Sequence, residues 1–406
     1  MRPTRTRVVS CSESVGDTRC HGCVDEAFLV HRQEAIHVLC LNSIAFMKAV
    51  IVGAGAAGLT AGYLLDRSGV EFEILEARSE YGGRVRKLEG FADFPIDLGA
   101  EWIHRWIAAR PPIFTELLQG EDPRLPTFQE HLETISQWTG EKLRTRNWWR
   151  YIPKPTDLKF VDGTWFDALN RLVTPGVAER LHLNTPVTSI DYRANSVSVE
   201  TLSGEKFQAD RVLVTTPISM LQRGGIRFNP DLPKSKKDEI MKERMPGGLK
   251  VFLRFSERFY PDLIYVGGFL KGGVLNECGY YNAALGKNSE CNVLALFTQG
   301  AKAERYIEQS TEEDLLHYVL LELDSMFEGR ASSLYEDHVI QNWAREPYIH
   351  GSYSQRKASA KKLAEPVAGK LFFAGEAMNI DGKTIAVHGA CASAYAAVDA
   401  MCSSAA

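Results

Sequence analysis

The 406-residue sequence predicts an α/β fold built on a parallel βαβ unit, and three adjacent stretches carry that prediction. "KAVIVGAG" (48–55) is a short run of β-branched and small apolar residues that ends in glycines, as a buried parallel strand does. "AAGLTAGYLLDRSG" (56–69) then reads as a helix of small residues stopped by Gly69. "VEFEILEA" (70–77) follows as a second strand with Glu76 at its end. Hydropathy alone leaves one question open, because residues 49–65 carry no charge, the lower limit of a membrane span. Periodicity answers it: a strand, a turn and a helix do not cross a bilayer.

Each residue of the turn has a physical task. Gly53, Gly55 and Gly58 form G-x-G-x-x-G, and Glu76 lies eighteen residues beyond Gly58, the spacing of a dinucleotide-binding fingerprint. Gly53 permits the tight turn, Gly55 lets a pyrophosphate approach the backbone, and Gly58 permits close helix packing; the amino end of the helix favours the phosphate charge. Glu76 is placed to accept hydrogen bonds from a ribose. The next stretch, "ARSEYGGRVRK" (77–87), separates FAD from NAD. Gly82 and Gly83 give a second close backbone approach, and Arg78 and Arg84 supply guanidinium groups suited to bidentate phosphate contact, for which a simple NAD domain has no use.

With these residues the sequence resembles the flavin-containing amine oxidases, a family of monoamine and polyamine oxidases and flavin-dependent histone demethylases. The resemblance runs from Met47 to about Met401 with its motifs in the family's order. It implies a Rossmann-like FAD-binding domain of the glutathione-reductase type, built from residues 47–100, 178–245 and 343–406, and an α+β substrate domain from 101–177 and 246–342. FAD contacts are implied along the first loop and strand end, at Gly53, Ala54, Gly55, Ala57, Gly58, Glu76, Ala77, Arg78, Gly83 and Arg84. "IDLGAEWIH" (96–104) resembles the family's loop beneath the flavin ring and adds Gly99, Ala100, Glu101 and Trp102. "TPVTSI" (185–190) resembles the strand whose backbone, at Val187, contacts adenine, and "RVLVTTPISMLQ" (211–222) a further family strand and turn.

Two catalytic candidates come from the same resemblance. Lys250, in "GGLKVFLRF" (247–255), falls where the family holds a water against the flavin N5; on the residues alone, a lysine between apolar neighbours on a strand is more often a solvated edge residue. "NWAREPYIHGSYS" (342–354) brings Trp343 to the cofactor and Tyr353 to the flavin face, and "LFFAGEAMN" (371–379) supplies Gly375 and Glu376 for the ribityl or phosphate portion. "AVHGACASAYAAVDAM" (386–401) starts a small-residue helix whose amino end, at Ala386 and Val387, points at the pyrimidine end of the flavin, where a positive dipole favours the reduced anion. Two departures matter. Ser352 stands where monoamine oxidases carry the cysteine that bonds to flavin, so FAD is expected to be held non-covalently. Ala386, preceded by Thr384 and Ile385, stands where many members place the second aromatic of an amine-sandwiching pair, so the cage is incomplete, as in the demethylase branch.

Composition narrows the partners. A net charge of -4, with 45% hydrophobic and 24% charged residues, offers no basic patch for nucleic acid or an anionic membrane, and favours small-molecule chemistry. Cys278, Cys291, Cys391 and Cys402 lack the spacing of a metal or redox motif, and no disulfide framework is read; a cytoplasmic, reducing compartment is expected. Residues 1–46 read as a leader, with Met47 the expected natural start, because the family's first strand begins near the amino terminus. "CHGC" (20–23) with His31, His37 and Cys40 lacks the second paired knuckle of a zinc site, so no metal is assigned. Six of the seven tryptophans lie between Trp102 and Trp165, as an aromatic-lined pocket, a partner surface or ordinary core, and Glu101 and His104 are candidates to meet a cationic substrate.

The expected chemistry is oxidation of a small-molecule amine, with hydride passing to the flavin N5, an imine hydrolysing to a carbonyl compound, and oxygen returning as hydrogen peroxide. Two alternatives stay open: desaturation or dehydrogenation of a non-amine substrate on the same fold, and a flavin-binding protein without turnover.

Overall fold

The computed structural model describes residues 47–104, 125–145, 157–267, 278–380 and 386–403. The opening stretch is a strand, Lys48–Val52, a glycine turn and a helix, Ala56–Arg67, followed by the strand Glu71–Leu75. The helix stops where expected: Ser68 caps it and Gly69 takes a left-handed φ of +67°, which an L side chain adopts only with strain. Among the described residues no helix is long and apolar enough to cross a membrane.

These elements start a five-stranded parallel sheet in the order Leu371–Phe373, Arg211–Val214, Lys48–Val52, Glu71–Leu75, Leu181–His182. Both faces are covered, which is why its strands are apolar at successive positions rather than alternating. Val50, Val52, Val212, Val214, Leu371 and Phe373 pack into a core shared with a four-stranded sheet, Lys206–Ala209, Val197–Thr201, Val187–Asp191 and Arg227–Asn229. The helices Ala56–Arg67 and Val387–Ser403 pack against each other, joining residues from opposite ends of the described chain.

The remaining large element is a seven-stranded sheet in the order Tyr335–Asn342, Gly248–Phe255, Asn292–Gln299, Cys278–Asn282, Leu263–Val266, Ile135–Trp138, Leu143–Thr145. Its pairs are antiparallel except that between Leu263–Val266 and Ile135–Trp138. The period of two along Gly248–Phe255 sorts its side chains. Leu249, Val251, Leu253 and Phe255 face a core with Leu315, Val319, Leu323 and Met326 of the helix Glu312–Phe327. Lys250 and Phe252 face the other way. That helix begins at a reciprocal capping box between Thr311 and Asp314, which satisfies amide groups that would otherwise lack partners.

Close approach at the glycine turn is geometric. A Cβ on Gly58 would lie 1.9 Å from the Gly53 carbonyl oxygen, far inside contact distance. The substitution Gly58→Ala is therefore expected to destabilise the protein by about 1–3 kcal/mol, as overpacking does. Chemical denaturation checks this, and a midpoint equal to the parent's would show that the loop yields freely.

Candidate active site

A single cavity of about 920 Å³ joins nearly all the sequence candidates. Its first end is the glycine turn. Gly53 has a φ of +104°, and a Cβ there would meet Thr215 Oγ1 at 2.9 Å. The Cβ direction of Gly55, by contrast, meets no atom within 4 Å: it faces open space where a phosphate can approach the backbone. The helix that follows has no side-chain cap at Gly55 and no acid in its first turn, so its amino end is left for an anion. The second glycine turn abuts the first through a bridge between Gly55 and Gly82, and a Cβ on Gly83 would lie 3.4 Å from the Gly55 Cα.

Glu76 closes this end. It is buried, and its two oxygens accept from the backbone amides of Ala54 at 2.7 Å and Arg78 at 3.0 Å. Burial raises its carboxyl above the usual range, against the lowering effect of those amides and of Arg78. Each oxygen keeps a further lone pair for a ribose hydroxyl. Ala77, Arg78 and Val187 line the same end.

Midway along the cavity, Arg84 bridges two distant segments. Its guanidinium donates to the Ser352 carbonyl at 2.7 Å and to Glu376 at 3.1 Å. Glu376 also accepts from the amide and hydroxyl of Ser354, and Gly375 donates its amide to Ser393 Oγ of the helix Val387–Ser403. Ala386, Val387 and Ala390 bring the amino end of that helix to the cavity wall. Trp343 donates from its indole to the Leu98 carbonyl at 3.2 Å and leaves no room for a side chain on Gly99, whose Cβ would meet Trp343 at 3.1 Å and the Arg84 carbonyl oxygen at 1.8 Å.

At the far end stands Lys250. Its strand is interior to the seven-stranded sheet, so the solvated-edge reading is excluded, and its side chain is 2% exposed. The ammonium donates to Glu101 at 2.7 Å and to the Asp97 carbonyl at 3.0 Å, beside the ring of Trp102. The rings of Trp102 and Tyr281 flank the ammonium, Phe297 packs on Trp102, and Tyr353 and Ala100 line the same cavity.

Three of the expected site residues have a particular setting. Ala54 and Gly58 lie behind the wall rather than in it: Ala54 is fully buried and acts through its amide on Glu76, and Gly58 acts through its contact with Gly53. Glu101 lines the cavity, and its two oxygens already accept from Lys159, Lys250 and the Tyr281 hydroxyl, so two lysines balance its charge. His104 does reach the cavity, with its ring 2.9 Å from Asp157. The tryptophans divide: Trp102 lines the cavity, whereas Trp138 and Trp165 are core, and Trp106, Trp148 and Trp149 lie outside the described residues. So do the leader with its Cys and His set, and Thr384 and Ile385.

Sequence reasoning missed Tyr281, Phe297, Glu130 and Asp157 as lining residues. Tyr281 and Phe297 face the cavity only because their strands pair in this register, a fact that no local motif encodes.

The sequence profile of the flavin containing amine oxidoreductases matches residues 169–402, more than half of the chain. The chain belongs to that family. A profile of NAD(P)-binding Rossmann-like domains matches residues 51–117. Among relatives, "Lysine-specific histone demethylase 1B" of Mus musculus is 25% identical over 82% of this chain and 50% of its own length. "Polyamine oxidase 4" of Oryza sativa subsp. japonica is 24% identical over 87% of this chain and 88% of its own. The chain spans about half the length of the first curated relatives it matches. Cyclohexylamine oxidase from Brevibacterium oxydans IH-35A shares the fold, with a TM-score of 0.71, 15% identity and coverage of 88% of this chain and 99% of that one.

FAD, the cofactor of this family, fits the donors present: two abutting glycine turns, an uncapped helix end, a buried acid at the ribose position and a guanidinium midway along the cavity. In the substitution Arg84→Met, Glu376 loses the cation it faces at 3.1 Å. The dissociation constant for FAD is expected to rise by about tenfold or more, read by titrating the apoprotein and following flavin fluorescence.

Proposed function

We propose that this chain is an FAD-dependent oxidoreductase that oxidises a small-molecule amine. The observation that carries the reading is continuity: one cavity runs from the phosphate-binding turns, past Arg84 and Glu376, to an aromatic chamber that contains Lys250. Family membership and the amine oxidases among its structural neighbours support it. FAD, when bound, would supply the redox chemistry, as acceptor of a hydride equivalent from the carbon beside the amine nitrogen and donor of the same two electrons to oxygen, which becomes hydrogen peroxide.

The chain's own residues do the rest. Gly53, Gly55, Gly83 and Arg84 hold the phosphates, Glu76 the ribose, and Glu376 with the amino end of Val387–Ser403 the flavin side of the cofactor. Trp102, Tyr281, Phe297 and Tyr353 enclose the amine in an aromatic chamber, which excludes bulk water and orients the carbon that loses hydride. A neutral amine is the reactive form, because its lone pair stabilises the positive charge that develops on that carbon. Lys250 keeps one positive charge beside the reacting atoms and holds a water there. The iminium product hydrolyses to a carbonyl compound and ammonia or a shorter amine. With Ser352 at the position of the covalent cysteine, FAD is held non-covalently, and acid precipitation is expected to release all of the flavin into the supernatant.

The decisive experiment is an anaerobic absorbance spectrum of the purified holoprotein mixed in turn with monoamines, polyamines and amino acids. Bleaching of the flavin by one of these classes is the expected result. Full flavin occupancy with no bleaching by any amine would instead favour a carbon-skeleton dehydrogenase or a protein without turnover. In Lys250→Met the flavin content is expected to persist while reoxidation by oxygen slows by at least about tenfold.

A further inference from the structure

Beneath the aromatic chamber four charged side chains form one chain of alternating sign. Glu130 lies 2.8 Å from Lys159, Lys159 lies 2.8 Å from Glu101, and Glu101 lies 2.7 Å from Lys250. All four residues are buried, the most exposed being Glu101 at 9%. The same shell contributes further contacts: the Tyr281 hydroxyl donates to Glu101, the Trp102 indole to Glu130, and the Lys159 ammonium lies over both of those rings. Burial alone would raise the Glu101 carboxyl, but the ammonium groups of Lys159 and Lys250 outweigh it and hold it well below the usual range. Burial would likewise lower Lys159, and Glu101 with Glu130 reverses this and holds it above the usual lysine range. The four charges sum to zero.

Such a chain is costly to bury and adds little net stability, whereas its short ion pairs fix where each charge sits. A single carboxylate and a single carbonyl determine where the Lys250 ammonium sits. Among the described residues these two take two of its three N–H donors, which leaves one for the cavity.

We infer that Glu101 is the positioning residue for Lys250, and that Lys159, braced by Glu130, holds the Glu101 carboxylate in place so that the Lys250 ammonium is presented to the cofactor in one orientation. The inference rests on the reading of Lys250 as the lysine beside the flavin N5. It reverses the reading of Glu101 as a substrate contact: the carboxylate acts on the reaction only through a lysine.

The test uses holoprotein and no amine. Flavin reduced with stoichiometric dithionite is mixed with oxygen to give a reoxidation rate, and the oxidised protein is titrated with sulfite, an anion that adds at the flavin N5 and bleaches its visible band. Lys250→Met is expected to slow reoxidation and to raise the half-bleaching sulfite concentration. Glu101→Gln should do both by about tenfold, and should change neither once Lys250 is already Met, because residues acting as a unit are not additive. Wild-type behaviour of Lys250→Met would overturn the flavin-lysine reading itself. Wild-type behaviour of Glu101→Gln beside an affected Lys250→Met would overturn only the positioning role, as would an effect of Glu101→Gln that persists in the Lys250→Met background. Because Glu101→Gln leaves one carboxylate, Glu130, against two ammonium groups, the charge-balanced Glu101→Gln/Lys159→Met replaces it if the single variant fails to retain FAD. If that also fails, Lys159→Met alone decides: slower reoxidation with flavin content retained supports the bracing role, and unchanged reoxidation overturns it.

Discussion

The cofactor side of this protein depends on a separation too short for a methyl group. Gly58 sits so close to the Gly53 carbonyl that any β-carbon would overlap it, and Thr215, from the neighbouring strand, fills the rest of that corner with hydrogen bonds to Val52 and Gly53. This contact draws the helix Ala56–Arg67 down onto the turn. Once it is there, the uncapped amino end of the helix, the open Cβ direction of Gly55 and the buried Glu76 all face one space. Relaxing the contact would move the helix end away from the strand end and separate the positive dipole from the backbone amides that work with it.

The other half is arranged by charge rather than by close contact. Its large sheet places a lysine at an interior position of the strand Gly248–Phe255, and a buried ammonium group is tolerable there only because the loop after Asp97 delivers Glu101 to it. A backbone bridge between Ile103 and Leu158 brings the same two segments together, so that Lys159 arrives opposite Trp102 and Asp157 opposite His104. One short ladder thus supplies both the brace for the central ion chain and the polar pair further along the cavity wall.

The legible part of this molecule is the part encoded over short distances. The glycine spacing, Glu76, the paired glycines before Arg84 and the small-residue helix from Val387 are each readable because strand, turn and helix are local events with residue-specific requirements. Lys250 is different. Its neighbours in sequence are those of an ordinary strand, and only its pairing with Asn292–Gln299 on one side and Tyr335–Asn342 on the other makes it interior. Lys159, in the three-residue strand Leu158–Phe160, carries no signal at all, since one lysine between two apolar residues describes countless exposed strands. Glu101 was visible as a site residue but its partners were not, because a carboxylate on a loop near a cavity looks the same whether it faces a substrate or two lysines from distant strands. Tertiary pairing decides such cases, and pairing over long separations leaves no local trace.

The helix Val387–Ser403 has a bearing on how the protein comes into being. It packs on the helix Ala56–Arg67, its Ser393 hydroxyl receives the Gly375 amide, and Cys391 lies 3.9 Å from the Ala56 carbonyl oxygen. On the ribosome it is made after every other described element, while the glycine turn it completes is made first. A nascent chain therefore carries an open half-site and an exposed apolar sheet face throughout its synthesis, and closing it requires the longest loop in the fold. The cofactor cavity is consequently completed late, because the two ends of the fold meet only once this helix has been made, and a message cut short upstream of it yields a polypeptide with an intact glycine motif but without the helix that packs beside it.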